Sequence, residues 1–169
     1  VMAAGRTLFV ADTSVHEVLD PEMMADIAQQ AAVVARRMGH EPRVALISYA
    51  NFGNPDLPRA VPVRDAVEVL DGRGVGFEYE GEMTVEVALN PEVRANYPFC
   101  RLTGPANVLV MPSLHSSQIA TQLLKELGGG TVLGPMLVGL SKPAQIVPMG
   151  TNVSDIVNLA VLAANAADD

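Results

Sequence analysis

Short apolar runs alternate along this chain with longer segments whose apolar residues recur at helical spacing. Runs that are apolar throughout and bounded by Gly, Pro or charge are typical of strands buried on both faces. Strands are predicted at residues 7–11, 44–49, 77–79 and 107–111, and shorter ones at 131–133, 136–138 and 145–147. Helices are predicted at 21–38, 62–70, 84–89, 116–127 and from 153 to about 167. The alternation predicts an α/β fold, a three-layer sandwich with a mostly parallel sheet.

The first predicted helix carries its own start and stop signals. Asp20 suits the N-cap position, and Pro21 suits the first helical position because an N–H there would have no helical partner. Gly39 suits the position after the helix, where a left-handed conformation costs glycine little. The stretches 54–62 and 90–105 are predicted loops. In α/β sheets, ligands gather where strands end and such loops begin.

Composition narrows the classes of function. The 169 residues fit one domain, and 49% hydrophobic residues with a mean hydropathy of +0.26 indicate a folded globule. The net charge of −8 disfavours nucleic acid and anionic membranes as partners. No apolar run is long enough for a transmembrane helix, and the one cysteine, Cys100, suits a reducing cytoplasm. The chain begins in mid-pattern, which predicts a fragment of a longer polypeptide.

An amide- and glycine-containing stretch, residues 48–54, leaves the second predicted strand and opens a long loop. Two interpretations stay open for its residues Asn51, Phe52, Gly53 and Asn54. In the first, the loop backbone lies against a phosphate group or an extended pantetheine chain. In the second, the stretch is a turn in which Asn51 and Asn54 hydrogen-bond their own backbone. Residue chemistry alone favours the turn, since nothing in it selects a particular ligand.

The spacings of two common kinds of site are missing from the sequence. The histidines and the cysteine are scattered without the spacing of zinc ligands, so no metal site is predicted. The glycine-rich stretch 72–76 lacks the preceding strand, the following helix and the full spacing of a dinucleotide fingerprint. The sequence therefore predicts no bound metal and no dinucleotide in this chain.

The stretch from 134 to 158 contains GPMLVGLSKP, then PMG, then VSDIVN. It resembles the carboxy-terminal signature of phosphate acetyltransferases, which move an acetyl group between coenzyme A and phosphate. In active members, the lysine-proline pair is followed by Ser-Arg-Gly and then by an acidic residue that opens the last helix. Gly150 and Asp155 are in register with that pattern, while Pro148 and Met149 stand at the serine and arginine positions. Neither side chain supplies a hydroxyl or a charge, so the resemblance implies a domain without catalytic residues.

Asp155, Lys142 and Asn152 lie in or near this signature, and more than one role is open for each of them. Asp155 matches the acidic residue that handles the coenzyme A thiol proton in active relatives, which would make it a catalytic relic. With Asn152 as N-cap, Asp155 falls at the third helical position and interacts with the helix amides, and this capping role is favoured. Lys142 either meets a phosphate of coenzyme A or is an exposed lysine beside a turn. Lys142 and Asn152 join Asn51–Asn54 as candidate acetyl-CoA contacts.

The loop at 48–54 points to one branch of this family. Active phosphate acetyltransferases carry a loop rich in serine, threonine and glycine there, with a lysine, whereas Ser-x-x-Asn-Phe-Gly resembles the version in hybrid malic enzymes. Those enzymes join an NADP-dependent, malate-decarboxylating amino-terminal part to a phosphate acetyltransferase-like carboxy-terminal domain. Other recurrent family positions are interpreted as turn or cap residues at strand ends: Arg6, Asp12, His16, Glu80, Gly81, Glu82 and Glu86.

The resemblance implies a fold like that of isocitrate and isopropylmalate dehydrogenases. Residues 1–169 would be one fragment of it, mainly the second subdomain plus the terminal helix region. It also implies a cytoplasmic regulatory domain with no cofactor of its own and acetyl-CoA as effector. Its partners would be copies of itself and the malic-enzyme domain of the same polypeptide, which holds NADP and a divalent metal. An active phosphate acetyltransferase or butyryltransferase and a purely structural dimerisation module stay open as alternatives.

Overall fold

The computed structural model describes residues 1–3, 5–128, 131–147 and 149–165. Its strands are β1 (Met2–Ala3), β2 (Arg6–Thr7), β3 (Phe9–Ala11), β4 (Arg43–Ile47), β5 (Glu78–Met83) and β6 (Val108–Val110). Its helices are α1 (Pro21–Arg37), α2 (Val61–Arg73), α3 (Val85–Leu89), α4 (Pro91–Arg94), α5 (Leu114–Leu127) and α6 (Val153–Asn165). The strands β3, β6, β4 and β5 lie side by side in that order and run parallel, whereas β1 and β2 form a separate antiparallel pair. The predicted α/β fold with a mostly parallel sheet is confirmed.

The two inner strands, β4 and β6, are apolar because both of their faces are covered. All of β6 is buried, as are the last four residues of β4. Val44 pairs with Val108 and Ala45 pairs with Leu109. Since successive side chains of a strand point to opposite faces, the two valines enter one core while Ala45 and Leu109 enter the other.

Helices and a mixed layer cover the two faces of the sheet. On one face, α1 and α2 pack against each other and against the strands. The buried face of α1 consists of Met24 and alanines, whose small side chains let the helix approach the sheet closely. On the other face, α3 and the segment around Leu102 and Ala106 pack over Ile47 and Met83. These three layers match the predicted sandwich.

The ends of α1 follow the signals in the sequence. The Asp20 side chain accepts a hydrogen bond from the Met23 N–H (2.8 Å), and Pro21 occupies the first turn. Met38 is the C-cap residue, and Gly39 follows with a positive φ of 81°. Because these signals are local, the sequence alone was sufficient to place both ends of this helix.

Three predicted strands near the carboxyl end are wrong. The described backbone at 131–133, 136–138 and 145–147 forms no strand, and Thr131 makes an isolated bridge to Met2. A strand requires a neighbour for its N–H and C=O groups. Apart from that bridge, no strand within the described ranges pairs with these segments, so their apolar residues remain in irregular structure.

The structure departs from the predicted elements at β5, at the pair formed by β1 and β2, and at α4. β5 extends to Met83, whereas its predicted end was residue 79. The prediction stopped early because two glutamates around a glycine do not indicate a strand, yet Glu80 and Glu82 are both buried in β5. The pair formed by β1 and β2 was not predicted. The helix α4 interrupts the predicted loop at 90–105, where the Asn90 side chain accepts from the Glu92 N–H (3.0 Å).

The helices test the predicted absence of a transmembrane helix and the predicted extent of the last helix. Within the described residues, no helix combines the length and the apolar composition needed to cross a bilayer. The last helix was predicted to reach about 167, and it is observed to Asn165. Residues 166–169 lie outside the described ranges, as do Gly129 and Gly130.

Candidate functional site

The carboxyl ends of the four parallel strands meet at one edge of the sheet. Residues 12–18 leave β3 at this edge, residues 48–54 leave β4, Thr84 follows β5, and residues 111–113 follow β6. In open parallel sheets this edge binds ligands, because the loops that leave neighbouring strands form a crevice there. These four connections make up the candidate site.

The connection after β4, loop 48–54, folds back on itself. The Asn51 N–H donates to the Asn54 carbonyl (2.9 Å), and the Asn54 N–H donates to the Asn51 carbonyl (3.1 Å). Between them, Phe52 and Gly53 have positive φ angles of 51° and 85°. The Asn51 Oδ1 accepts from the Thr84 N–H (2.8 Å) and so ties the loop to the end of β5. The turn interpretation therefore holds for the backbone, whereas the Asn51 side chain bonds a neighbouring strand end instead of its own loop.

A fully buried glutamate of β5, Glu82, bonds the loop at two points. Its Oε1 accepts from the Gly53 N–H (2.8 Å), and its backbone carbonyl accepts from the Phe52 N–H (2.9 Å). Arg64 Nη1 lies 3.9 Å from Oε1, while Arg64 Nη2 donates to the exposed Asp56 (3.0 Å). Oε2 has no hydrogen-bond partner in the described part of the chain. The prediction that Glu82 is a turn or cap residue at a strand end is wrong, since it lies inside β5 and bonds another loop.

The glycine before Glu82 allows β5 to approach β4 closely. A Cβ at Gly81 would lie 2.8 Å from the Leu46 Cβ and 2.9 Å from the Leu46 carbonyl oxygen, closer than side chains tolerate. The pairing between β4 and β5 shifts at this point, so that Ile47 pairs with Met83. The Glu-Gly-Glu motif was the one signal in the sequence for this arrangement. The motif does not show that the Glu82 carboxylate accepts a hydrogen bond from the Gly53 N–H.

Three aromatic rings cluster beside the loop. The Phe52 ring centroid lies 5.1 Å from that of Tyr97 and 4.9 Å from that of Phe99. Phe99 is 63% exposed, so the cluster presents an apolar surface to solvent. Such a surface suits the apolar or ring-bearing part of a ligand. Sequence reasoning did not single out Tyr97 and Phe99, because they lie in a predicted loop far along the chain from Phe52.

The connection after β3 is organised by Asp12. Its Oδ1 accepts from the N–H groups of Ser14 (2.7 Å) and Val15 (3.0 Å). Its Oδ2 accepts from the His16 N–H (2.9 Å) and lies 2.7 Å from His16 Nδ1. Burial acts to raise the pKa of Asp12, but these hydrogen bonds outweigh it and hold the pKa below its usual value. The interpretation of Asp12 as a turn residue at a strand end is confirmed.

Glu80, two residues before Glu82 in β5, faces a different set of partners. Both of its carboxylate oxygens accept hydrogen bonds from the Arg101 guanidinium (3.1 Å each). Arg101 also donates to Asp71 (2.6 Å) and lies over the Tyr79 ring, 4.7 Å from its centroid. Hydrogen bonds from Tyr79 and Arg101 lower the pKa of Asp71. This cluster ties β5 to α2 and has no hydrogen bond to loop 48–54 among the described residues.

The residues of the carboxy-terminal signature form the predicted cap of α6. The Asp155 N–H donates to Asn152 Oδ1 (2.8 Å), and Asn152 Nδ2 donates to Asp155 Oδ2 (2.9 Å). The first bond satisfies a helix N–H group that would otherwise lack a partner, and the second holds the two side chains together. The geometry supports a capping role for Asp155.

The other signature residues lie apart from loop 48–54. The side chains of Met149 and Lys142 are exposed, and Pro148 lies outside the described residues. No hydrogen bond or ion pair within the described ranges joins Lys142 or Asn152 to loop 48–54. The structure thus brings Asn51–Asn54 together with Thr84 and Glu82, and it leaves the remaining candidate contacts in a separate segment.

A cavity of about 530 Å³ lies beside β3. Apolar side chains of β3, α1 and residues 132–138 line part of it, and Thr13, Ser14 and Lys125 also face it. Loop 48–54 does not line this cavity. Within the described residues, no group of three or more His, Cys, Asp or Glu side chains is arranged to hold a metal ion.

The parallel sheet and the loops at its carboxyl ends define an α/β domain whose candidate ligand site is built from strand-end connections. The chain belongs to the phosphate acetyl/butaryl transferase family, whose model matches residues 1–164. The family resemblance seen in the carboxy-terminal signature is therefore confirmed over nearly the whole chain.

Similar proteins are of two kinds. The NADP-dependent malic enzyme of Rhizobium meliloti is 55% identical over 96% of this chain, and a probable NADP-dependent malic enzyme of Rickettsia prowazekii is 40% identical over 96%. The EutD phosphotransacetylase structure from Staphylococcus aureus superposes with a TM-score of 0.90 over 98% of this chain, at 27% identity. The chain spans 21% and 23% of the two malic enzymes and 52% of the solved structure. It therefore matches a phosphate acetyltransferase-like part of these longer malic enzymes.

Proposed function

We propose that this chain is a regulatory domain of an NADP-dependent malic enzyme, that it binds acetyl-CoA, and that it does not catalyse acetyl transfer. The observation that carries the proposal is Met149, whose exposed thioether stands where active phosphate acetyltransferases have an arginine. A thioether cannot neutralise the charge of phosphate or of an oxyanion in acyl transfer. Pro148, at the serine position, cannot donate a hydroxyl proton.

The similarity to malic enzymes supports the choice of the parent activity. In this proposal the parent oxidatively decarboxylates malate to pyruvate and CO2, and its NADP and divalent metal lie in the malic-enzyme part of the same polypeptide. The domain also takes part in self-association. Its single cysteine suits the cytoplasm.

Loop 48–54 is the proposed contact for the acyl-CoA. The Phe52 and Gly53 N–H groups are already bonded to Glu82, so they are not available to cradle a phosphate. What the loop offers a ligand is the exposed Asn54 and the aromatic surface of Phe52 and Phe99. Amide and aromatic groups suit the pantetheine chain and the adenine ring better than they suit a phosphate. Lys142 and Asn152 remain candidates for further contacts.

Regulation requires that acetyl-CoA bind one conformation of the parent more tightly than another. The coupling is then limited by this difference in affinity, and it acts between two separate sites. In this proposal, acetyl-CoA binding inhibits malate oxidation and no acetyl phosphate forms.

The test uses the full-length protein. We expect calorimetry to detect acetyl-CoA binding, malate oxidation to fall as acetyl-CoA is added, and acetyl phosphate to be absent when phosphate is supplied. Phe52→Ala should weaken binding by about tenfold, because an aromatic contact is worth on the order of 1 kcal/mol beyond its buried area. Phe77→Ala is the matched control, since the Phe77 ring meets the Tyr79 ring edge to face and is not part of the aromatic cluster beside loop 48–54. Robust acetyl phosphate formation by the wild type would contradict the proposal.

A second candidate function is an active phosphate acetyltransferase or butyryltransferase that uses other groups in its cleft. The close superposition on a phosphotransacetylase structure favours it. The double substitution Pro148→Ser and Met149→Arg separates the two functions. Little change in an already substantial acyl transfer rate would support the active enzyme, whereas a rate that appears only in the double variant would support the regulatory domain.

A purely structural dimerisation module is the third alternative. Such a module would show neither heat nor thermal stabilisation with acetyl-CoA, because a ligand stabilises a protein only when it binds the folded state preferentially. A shift of the thermal midpoint that grows with acetyl-CoA concentration would exclude it.

A further inference from the structure

Glu82 is a fully buried carboxylate with one unsatisfied oxygen. Oε1 is bonded to the Gly53 N–H at 2.8 Å, whereas Oε2 has no hydrogen-bond partner among the described residues. The nearest cation is Arg64, whose Nη1 lies 3.9 Å from Oε1, beyond hydrogen-bond distance, and whose Nη2 is bonded to Asp56. A carboxylate in such surroundings is costly, because burial removes its hydration and the pairing is incomplete.

Formation of β5 does not require a buried carboxylate at position 82. The neighbouring residue Met83 is equally buried and apolar, and an apolar side chain at 82 would avoid the unsatisfied oxygen. Glu80 shows the contrast, since both of its oxygens are bonded to Arg101. The carboxylate at 82 therefore needs a reason beyond the packing of the strand.

The contacts of Glu82 with loop 48–54 supply that reason. Its side chain and its backbone carbonyl accept from two consecutive N–H groups, those of Gly53 and Phe52. Both loop residues have positive φ, a conformation that a phenylalanine adopts only when its surroundings impose it. The two hydrogen bonds act at the point where the loop turns, next to the Phe52 ring, which meets the Phe99 ring edge to face.

We propose that Glu82 is a positioning residue that holds loop 48–54 in the conformation that presents Phe52 and Asn54 to an acyl-CoA. The inference rests on the proposed function for its ligand, but the effect on the loop does not require the ligand. Glu82 does not touch the ligand in this proposal, because it is buried beneath the loop. It acts through the Gly53 and Phe52 N–H groups.

The test compares four single variants of the full-length protein. Glu82→Asp shortens the side chain by one methylene, so the carboxylate no longer reaches the Gly53 N–H. Glu82→Gln keeps an oxygen at the same place and should rescue the contact. Glu80→Asp and Glu80→Gln are the matched controls, because Glu80 lies in the same strand, is buried and faces Arg101 instead of the loop. Hydrogen exchange of peptides covering residues 48–56 reports on the loop, and calorimetry with acetyl-CoA reports on binding.

We expect Glu82→Asp to raise exchange in the loop by about tenfold and to weaken acetyl-CoA binding by a similar factor, because a buried hydrogen bond to a charged group is lost. Glu82→Gln should stay within about threefold of the wild type in both measurements. The Glu80 variants should leave loop exchange unchanged even where they lower the urea midpoint. A merely structural role of Glu82 would give parallel results for the two glutamates.

Unchanged loop exchange in Glu82→Asp, or an equal rise in Glu80→Asp, would overturn the inference. Should Glu82→Asp fail to fold, Glu82→Met decides, because it fills the buried space and removes the acceptor for the Gly53 N–H. Unchanged loop exchange in that variant would overturn the inference. If the wild type binds no acetyl-CoA, the proposed function fails, while the exchange data still decide whether Glu82 positions the loop.

Discussion

The sheet with helices α1 to α4 differs sharply from the segment 131–165 that carries the family signature. Apolar side chains are buried in two continuous cores on the two faces of the sheet. Among the described residues after Met111, Leu159 is the one buried apolar side chain. Large apolar side chains of the later segment are instead exposed: Val138, Leu140, Ile146, Val147, Met149, Val153, Ile156, Val157 and Val161.

The residues that identify the family and the residues that form the core therefore lie in different parts of the chain. The signature residues are in the segment with little packing of its own, while loop 48–54 is held by the well-packed sheet. Hydrophobic burial is the main stabilising contribution to folding, so the two regions should respond differently to the same kind of substitution. Four tests, one of them a pair of substitutions, address this difference.

Gly81→Ala tests the close approach between β5 and β4. The added Cβ would lie 2.8 Å from the Leu46 Cβ, and the backbone around it cannot move away without breaking the sheet. We expect the free energy of unfolding to fall by about 3 kcal/mol, the upper end for overpacking. Urea denaturation measures it. Gly72→Ala is the control, because a Cβ there meets nothing within 4 Å on α2 and should stabilise by about 0.5 kcal/mol. Equal results for the two glycines would show that the sheet has room to adjust.

The same substitution in two helices compares the regions directly. Val63 on α2 is 1% exposed, and Val157 on α6 is 54% exposed. Val63→Ala should lower the free energy of unfolding by about 2 kcal/mol, because two buried methyl groups are lost and a cavity remains. Val157→Ala should change it by less than about 0.5 kcal/mol. A loss of about 2 kcal/mol at Val157 in the full-length protein would instead show that α6 belongs to a core there.

Asp12→Asn tests the charged turn after β3. The folded-state pKa of Asp12 is lowered, so its stabilising contribution is present above the unfolded-state pKa of about 4 and is lost as pH falls through the folded-state value. At pH 7 we expect the variant to lose about 1 kcal/mol of stability. Below pH 4 the wild type should lose this advantage, and the two urea midpoints should converge. A gap between the midpoints that stays constant from pH 7 to pH 3 would rule out this role.

Asp155→Ala tests the cap of α6. The variant loses the hydrogen bond from Asn152 Nδ2 to the Asp155 carboxylate but keeps the bond from the backbone N–H of residue 155 to Asn152 Oδ1. The loss should cost about 0.5 kcal/mol, since α6 begins at an exposed position where water can replace the carboxylate. Thermal unfolding measures the change. Ser154→Ala, at an exposed position in the same turn, is the control and should have no detectable effect. A larger loss at Ser154 than at Asp155 would contradict the cap.

The elements that were predicted correctly depend on local signals. Asp20, Pro21 and Gly39 marked the ends of α1. The runs predicted at 44–49 and 107–111 marked the inner strands, which are observed at Arg43–Ile47 and Val108–Val110. The Asn152–Asp155 cap was also predictable, because its two partners are three residues apart. The strands predicted at 131–147 were wrong for the opposite reason. A strand requires a partner, and apolar composition alone does not supply one.

The sequence predicted the loop of the candidate site but not the side chains that contact it. Asn51–Asn54 were singled out because they leave a strand, but the partners that shape them come from distant parts of the chain. Phe99 and Glu82 reach the loop through tertiary contacts that no spacing in the sequence announces.

The sequence by itself determined the α/β alternation, both ends of the first helix, the start of the last helix and the family, because these depend on local propensity and on residues matched in order. Only the tertiary structure decided that Gly81 brings β5 against Leu46 and that Glu82 accepts from the Gly53 N–H. The physical reason is that a buried carboxylate is defined by which donors lie within about 3 Å of it. Those donors are set by the pairing of β4 with β5, and not by the neighbours of Glu82 in the chain.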